Sequence, residues 1–256
     1  MGLRTFARCL LCIGLFTLIS VNLWAQPSKG DKEDLMLMIF CDPAAGHQAE
    51  FDAWWPTYLR ELLSSGGLTH VETFQRANAR LRRPSATHQP GYMAQFSLAA
   101  VDLQRVKQHL KNALSPLIDR DSERIYLYRH TGEWKSAAPE PAGDFYRQLV
   151  FGDALAGREE DFNRWYDGTH AADLVTVPGV VAVNRFVYFE TVLGSGPTPP
   201  KFLSMMDFKT ESVEKFSDVL DSMGARFVNT DSFDVTHAWR YLYEQADPES
   251  IRQPHD

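Results

Sequence analysis

Cysteine is scarce, with three residues in a chain of 256. Cys9 and Cys12 stand at the start of an apolar run, and neither opens the Cys-x-x-Cys-His pattern of covalent haem attachment. Cys41 stands alone, so no cysteine framework for a structural zinc ion is present. Gly-x-Ser-x-Gly, Gly-x-Gly-x-x-Gly and P-loop patterns are also missing. That removes the serine-hydrolase elbow and the usual cradles for dinucleotides and nucleoside phosphates, and no cofactor is called for. Basic charge is in deficit, 26 Lys and Arg against 33 Asp and Glu, for a formal net charge of −7. An acidic surface disfavours a phosphate backbone as partner. The cluster Arg76, Arg80, Arg82, Arg83 leads into Pro84-Ser85 and reads as a solvated strand end and loop rather than a nucleic-acid patch.

No apolar run reaches the roughly 20 residues of a membrane span. The longest, Cys9 to Leu23, follows Arg4 and Arg8 and is broken by Thr17, Ser20 and Asn22. Ala25 follows as a small residue before Gln26-Pro27, so residues 1–25 read as a secretory signal peptide. The expected location is secreted or periplasmic, with no stable membrane insertion after cleavage. The mature chain keeps only Cys41. It forms no internal disulfide and depends on its hydrophobic core, for which about 230 residues suffice.

What is present is a repetition. Phe51-Asp52-Ala53-Trp54-Trp55, Leu62-Leu63, Gly66-Gly67 and Val71-Glu72-Thr73-Phe74 recur as Phe162-Asn163-Arg164-Trp165-Tyr166, Asp173-Leu174, Pro178-Gly179 and Val183-Asn184-Arg185-Phe186. The offset grows by one residue along the way. Aligning Leu62-Leu63 with Asp173-Leu174 puts the extra residue after these helical blocks. The apolar run Leu35 to Phe40 reads as a buried strand, and Gly46 to Ser65 as a helix with Phe51, Trp54, Trp55, Tyr58, Leu59, Leu62 and Leu63 at helical spacing. Strands over 69–79 and 91–99, a helix over 101–117 and a strand over 124–130 complete the first set. After a Pro/Ala/Gly linker the order returns: strand 146–152, helix 159–175, strands 180–192 and 202–208, helix 211–223, strand 234–243.

Each set has the order β-α-β-β-α-β, a ferredoxin-like split unit with helices on one face of its sheet. Strands such as Val180-Val181-Ala182-Val183 are apolar on both faces, so the other face also needs cover. The expected fold is α+β: two ferredoxin-like halves, 35–133 and 145–244, forming an intramolecular dimeric α/β barrel. A leader (26–34), a linker (134–144) and a tail (245–256) account for the rest. Because the partner half is already in the chain, a homo-oligomer is not required.

The second copy carries polar residues where the first is apolar. On the alignment above, Tyr58, Leu59 and Leu62 become Thr169, His170 and Asp173. Burying such groups costs a few kcal/mol unless they are paired, whereas acid/base chemistry uses a histidine in a water-poor pocket. His170 is therefore a candidate proton carrier, Asp173 one turn away a candidate orienting partner, and Tyr166 a candidate phenol. The bland alternatives are a satisfied core histidine, helix-end solvation for Asp173 and core packing for Tyr166. Arg185 and Asn184 alternate along a strand, so only one of them faces the helices. Trp165, Thr169, His237 and Trp239 are further candidate lining residues, with packing the alternative for Trp239. His88 and Tyr92 beside a loop are weaker candidates.

Phe162, Trp165, Tyr166, His170, Asp173, Leu174, then Val177-Pro178-Gly179-Val180 and Arg185-Phe186, resemble the EthD-like branch of the dimeric α/β-barrel superfamily. That resemblance is well matched only in the second half. It implies the barrel fold and a small-molecule ligand, and spans cofactor-free oxygenases, decarboxylases, isomerases, haem proteins and proteins of unknown role. The reading is a secreted small-molecule enzyme acting on a hydrophobic or aromatic ligand by histidine-based proton transfer. The alternatives are a non-catalytic binding protein of the same architecture and a haem protein with His170 or His237 as axial ligand.

Overall fold

The computed structural model describes residues 34–79, 85–99, 102–112 and 115–246. The expected signal peptide, the leader up to residue 33, Arg80, Arg82, Arg83 and most of the tail lie outside these residues. Among the described residues no helix is long and apolar enough to cross a membrane.

The elements in chain order are β1 (Asp34–Cys41), α1 (Gln48–Ser64), β2 (Leu68–Arg76), β3 (Tyr92–Ala99), α2 (Leu103–Asn112), β4 (Arg124–Lys135), β5 (Asp144–Gly152), α3 (Glu159–Trp165), a π-helical turn (Tyr166–His170), α4 (Ala171–Leu174), β6 (Val180–Leu193), β7 (Phe202–Thr210), α5 (Val213–Gly224) and β8 (Trp239–Gln245). The eight strands close into one antiparallel barrel in the order β1-β3-β2-β8-β5-β7-β6-β4. Strands one to four and five to eight each lie in the relative order fourth, first, third, second. The two sets of strands thus join edge to edge, as one continuous wall.

Alternation along each strand explains the apolar runs. In β1, Met36, Met38 and Phe40 point into the barrel with Phe74, Met93, Tyr126, Tyr128, Phe151 and Trp239. Leu35, Leu37, Ile39 and Cys41 point outward, beneath Phe51, Trp55, Leu59 and Leu62 of α1. A strand buried on both faces has no polar position to spare. An eight-stranded barrel is just wide enough for side chains to fill it, and here aromatic rings do so. On the other half, Phe162, Tyr166, Val183, Met206, Phe208 and Phe216 form a third cluster between wall and helices. Ser212 caps α5 by accepting from the Lys215 amide.

Two seams join the halves. The β4–β6 seam runs through ten residue pairs, from Ile125↔Leu193 to Lys135↔Ala182. The β2–β8 seam has three, Phe74↔Gln245 to Arg76↔Tyr243. Beyond them the loop before β3 takes over. The Gln89 side-chain amide donates to the Leu242 carbonyl at 2.6 Å and accepts from the Leu242 amide at 3.2 Å. Beside this seam Arg147 is buried inside the barrel. It donates to both Asp207 oxygens at 2.6 and 2.8 Å, to Glu72 at 2.8 Å and to Gln95 at 3.0 Å.

The fourth strand, expected over 124–130, extends through Lys135. The last strand begins at Trp239 rather than residue 234, since Asp234 accepts from the amides of Thr236 and His237 in a turn.

Candidate functional site

A cavity of about 650 Å³ lies in the second half, between the outer face of β5–β8 and the layer formed by α3, the π turn, α4 and α5. Its floor is a row across the sheet. Val150, Ser204 and Arg185 are register neighbours on β5, β7 and β6, and all three line it. Arg185 is the strand residue that faces the helices. Asn184 points the other way and lies 3.3 Å from the His130 ring, outside the cavity lining. Aromatic walls come from Phe162, Trp165, Phe202, Phe216, Phe227 and Phe233. The Trp165 indole donates to the Val228 carbonyl at 2.6 Å, fastening the helix to the loop that forms the outer wall.

Tyr166 is the hub of the polar groups. Its hydroxyl donates to Ser204. The Arg185 guanidinium lies over its ring at 4.6 Å, and the His170 ring meets it nearly edge-on at 5.5 Å. Burial pushes the phenol up to about 12, against the pull of Ser204 and Arg185. Arg185 is 4% exposed. It donates to Asn163 at 2.6 Å and pairs with Asp167, while its Nε is buried with no partner. His170 stacks on Trp165 at 4.2 Å and 22°. Burial pushes its imidazole down to about 4, so it is neutral at neutral pH, and its Nδ1 is buried with no partner. Two unpartnered buried polar atoms beside one cavity need an explanation, since such groups are normally paired. A ligand supplies one.

The π turn revises the register in which this helical stretch aligns with α1. The Ala171 amide donates to the Tyr166 carbonyl five residues back, so one extra residue is absorbed inside the helix, not after it. His170 then stands in the place of Tyr58, and the packing agrees: Tyr58 stacks on Trp54 at 4.6 Å and 19°. Ala171, fully buried like Leu59, stands in that residue's place. Asp173 falls at the position of Glu61 instead of Leu62. It does not line the cavity, and no hydrogen bond joins it to His170 among the described residues. The orienting role expected for it is not realised in this geometry. Thr169 is also absent from the lining.

No family model and no curated protein matches the chain. Solved structures do. An anthrone oxidase-like protein aligns over 85% of this chain and 92% of its own, at 13% identity and a TM-score of 0.53. Chlorite dismutase from Candidatus Nitrospira defluvii aligns in two mutant forms at 13% identity. One covers 87% of this chain and 95% of its own at a TM-score of 0.51. The other, in complex with cyanide, covers 87% and 94% at 0.50. The fold is of the dimeric α/β-barrel type. At these identities the likeness concerns the fold alone.

The remaining candidates lie elsewhere. His237 is exposed and paired with Asp234 at 2.7 Å, outside the cavity lining, which takes it out as an axial ligand there. Trp239 packs inside the barrel against Phe151 at 5.6 Å. His88 pairs with Asp42 at 2.9 Å, and Tyr92 binds Asp52 and Gln48, both in the first half. Asn163, Asp167 and Ser204 were not anticipated. The signal for Asp167 was the extra residue itself, had the gap been placed beside it. Ser204 carried none, being one serine on a strand. Among the described residues no group of three or more His, Cys, Asp or Glu could hold a metal ion.

Proposed function

We propose that the protein is an exported small-molecule enzyme. Its two halves would be tandem ferredoxin-like copies, with the second, EthD-like copy carrying the site. The ligand is planar and mainly apolar, matching the aromatic walls, and bears one hydroxyl or carbonyl oxygen. The observation that carries this reading is the neutral His170 imidazole, its buried Nδ1 unpartnered beside the cavity that Arg185 and Ser204 also line. Nδ1 accepts the ligand's acidic proton, and the oxygen that becomes negative is held by Arg185 and the Ser204 hydroxyl. Desolvation makes imidazole a poor base in the empty cavity. A negative oxygen beside it offsets that penalty, so proton transfer is favoured only where such an oxygen is held.

Anthrone and 1-naphthol are suitable probes. Quenching of Trp165 fluorescence should report uptake of both, and His170→Phe should retain uptake while abolishing any turnover of anthrone followed by absorbance. Uptake without turnover by the parent would support the binding-protein alternative. No uptake of either probe would end the small-molecule reading. One observation also favours haem: the uncharged His170 imidazole lines a roomy cavity, where it would hold the iron and the group would supply redox chemistry. Reconstitution with haemin and the appearance of a Soret band test this, and a spectrum identical to free haemin would refute it.

A further inference from the structure

The π turn is the one place where the second helix departs from its counterpart by insertion, and its product is specific. Residues 167–169 are the excursion. Asp167 reaches the Arg185 guanidinium, and Gly168 is exposed with open space where a side chain would begin. The first copy has Pro56-Thr57 in place of Asp167-Gly168-Thr169, and Thr73 in place of Arg185. Insertion and buried arginine therefore occur together. The pair is lopsided. The Arg185 side chain is 5% exposed and that of Asp167 is 49% exposed. The carboxylate sits half in water on an irregular turn, while the guanidinium keeps one N–H unpartnered beside the cavity. One-residue π bulges recur at functional sites because they re-aim side chains without ending the helix.

From this we infer that Asp167 is an exchangeable counter-ion. The inserted residue holds it on Arg185 while the cavity is empty, and it gives way when a ligand brings its own negative oxygen. This rests on the reading of the cavity as a ligand site and narrows the ligand to an apolar body whose oxygen is negative when bound, either a phenolate left by proton transfer to His170 or a carboxylate or sulfonate that arrives charged. Asp167 is a positioning residue: it keeps a buried cation compensated and selects ligands able to replace it.

The geometry supplies its own control. Deleting Gly168 leaves Ala171 four residues after Tyr166, so the same amide and carbonyl close an ordinary α turn. Thr169, His170 and Leu174 then keep the register of Thr57, Tyr58 and Leu62. The experiment uses two dyes that differ by one charge, 1-anilinonaphthalene-8-sulfonate and the uncharged N-phenyl-1-naphthylamine, titrated by fluorescence. Asp167→Asn and the Gly168 deletion should each tighten the sulfonate dye about tenfold, equivalent to about 1.4 kcal/mol, and leave the neutral dye within about twofold. Arg185→Met should remove the preference. Raising the salt concentration should narrow the gap between parent and Asp167→Asn for the sulfonate dye only.

An Asp167→Asn variant that binds the sulfonate dye as the parent does, or more weakly, overturns the exchange. So does a Gly168 deletion that fails to fold, because the bulge would then belong to the fold itself. A deletion variant that folds but binds the sulfonate dye as the parent does overturns it as well. A parent that takes up neither dye sinks the cavity reading, and the exchange with it.

Discussion

Replacing His170 with phenylalanine separates the energetic cost of this residue from its use. Phe keeps a flat ring against Trp165, from which the imidazole now lies 4.2 Å away, and removes the only titratable group in that stack. Above pH 6.5, the imidazole's ordinary value, it is neutral in both folded and unfolded chains. Below that value the unfolded chain takes up a proton that the folded site refuses until about pH 4. The unfolded state then binds more protons, so stability falls as the pH drops, by about 1.4 kcal/mol per pH unit at most and about 3 kcal/mol over the whole window. His170→Phe should not show this loss. At pH 7.5 the variant should be more stable than the parent by about 1 to 3 kcal/mol, since the buried Nδ1 without a partner is gone. Urea midpoints measured from pH 7.5 to 4.5 give both numbers. The difference between variant and parent should widen steadily below pH 6.5. Parallel curves would show that the imidazole is not desolvated in solution. A variant less stable than the parent at pH 7.5 would show that Nδ1 has a partner.

Arg147→Met should cost about 3 to 5 kcal/mol, read from the denaturant midpoint, because Asp207 and Glu72 lose the cation they share. Adding Asp207→Leu should recover part of that loss, and a double variant no better than the single would contradict the assignment. Gly152→Ala places a methyl group against the Phe233 ring that walls the cavity. It should destabilise by about 1 to 3 kcal/mol and displace bound dye, whereas unchanged dye affinity would detach Phe233 from the site. The export reading predicts a mature N-terminus at Gln26, read by N-terminal sequencing of periplasmic or secreted material. A chain retaining Arg4 in the membrane fraction would mark an anchor instead.

The sequence made the elements legible where burial is two-sided. Leu35 to Phe40 has no polar residue, and both faces of that strand are covered. The order of elements was equally plain, because Gly66-Gly67 and Pro178-Gly179 punctuate the same points in both halves. The ends of β4 and β8 were not legible: Lys135 is held in β4 by its neighbour β6, and His237 is held out of β8 by the carboxylate of Asp234. At the site, His170, Tyr166, Trp165 and Arg185 were readable as polar or aromatic residues because the stretch around Phe51 offers a comparison. Asp173 was misread because a one-residue insertion can hide inside a helix as a π turn, and register rather than composition decides which side chain faces inward. The Arg147 network was invisible, because its members come from β2, β3, β5 and β7, and no local pattern links strands so far apart in sequence.

The two seams of the barrel are unequal, and that asymmetry gives the molecule a direction in which to open. Ten backbone pairs along one side behave as a spine. The other side is a clasp, with three strand pairs, backbone bonds from Ala77 to Leu242 and from Ala246 to Thr73, and a loop whose Gln89 side chain imitates the amide of a missing strand residue. Swinging apart at the clasp would bare the aromatic filling while leaving each set of four strands intact. Amides of β8 around Leu242 should therefore exchange with solvent sooner than those of β4 and β6, and shortening Gln89 to alanine should speed the first without touching the second. A protein closed in this way is sewn along one side by strand pairing and along the other largely by a loop.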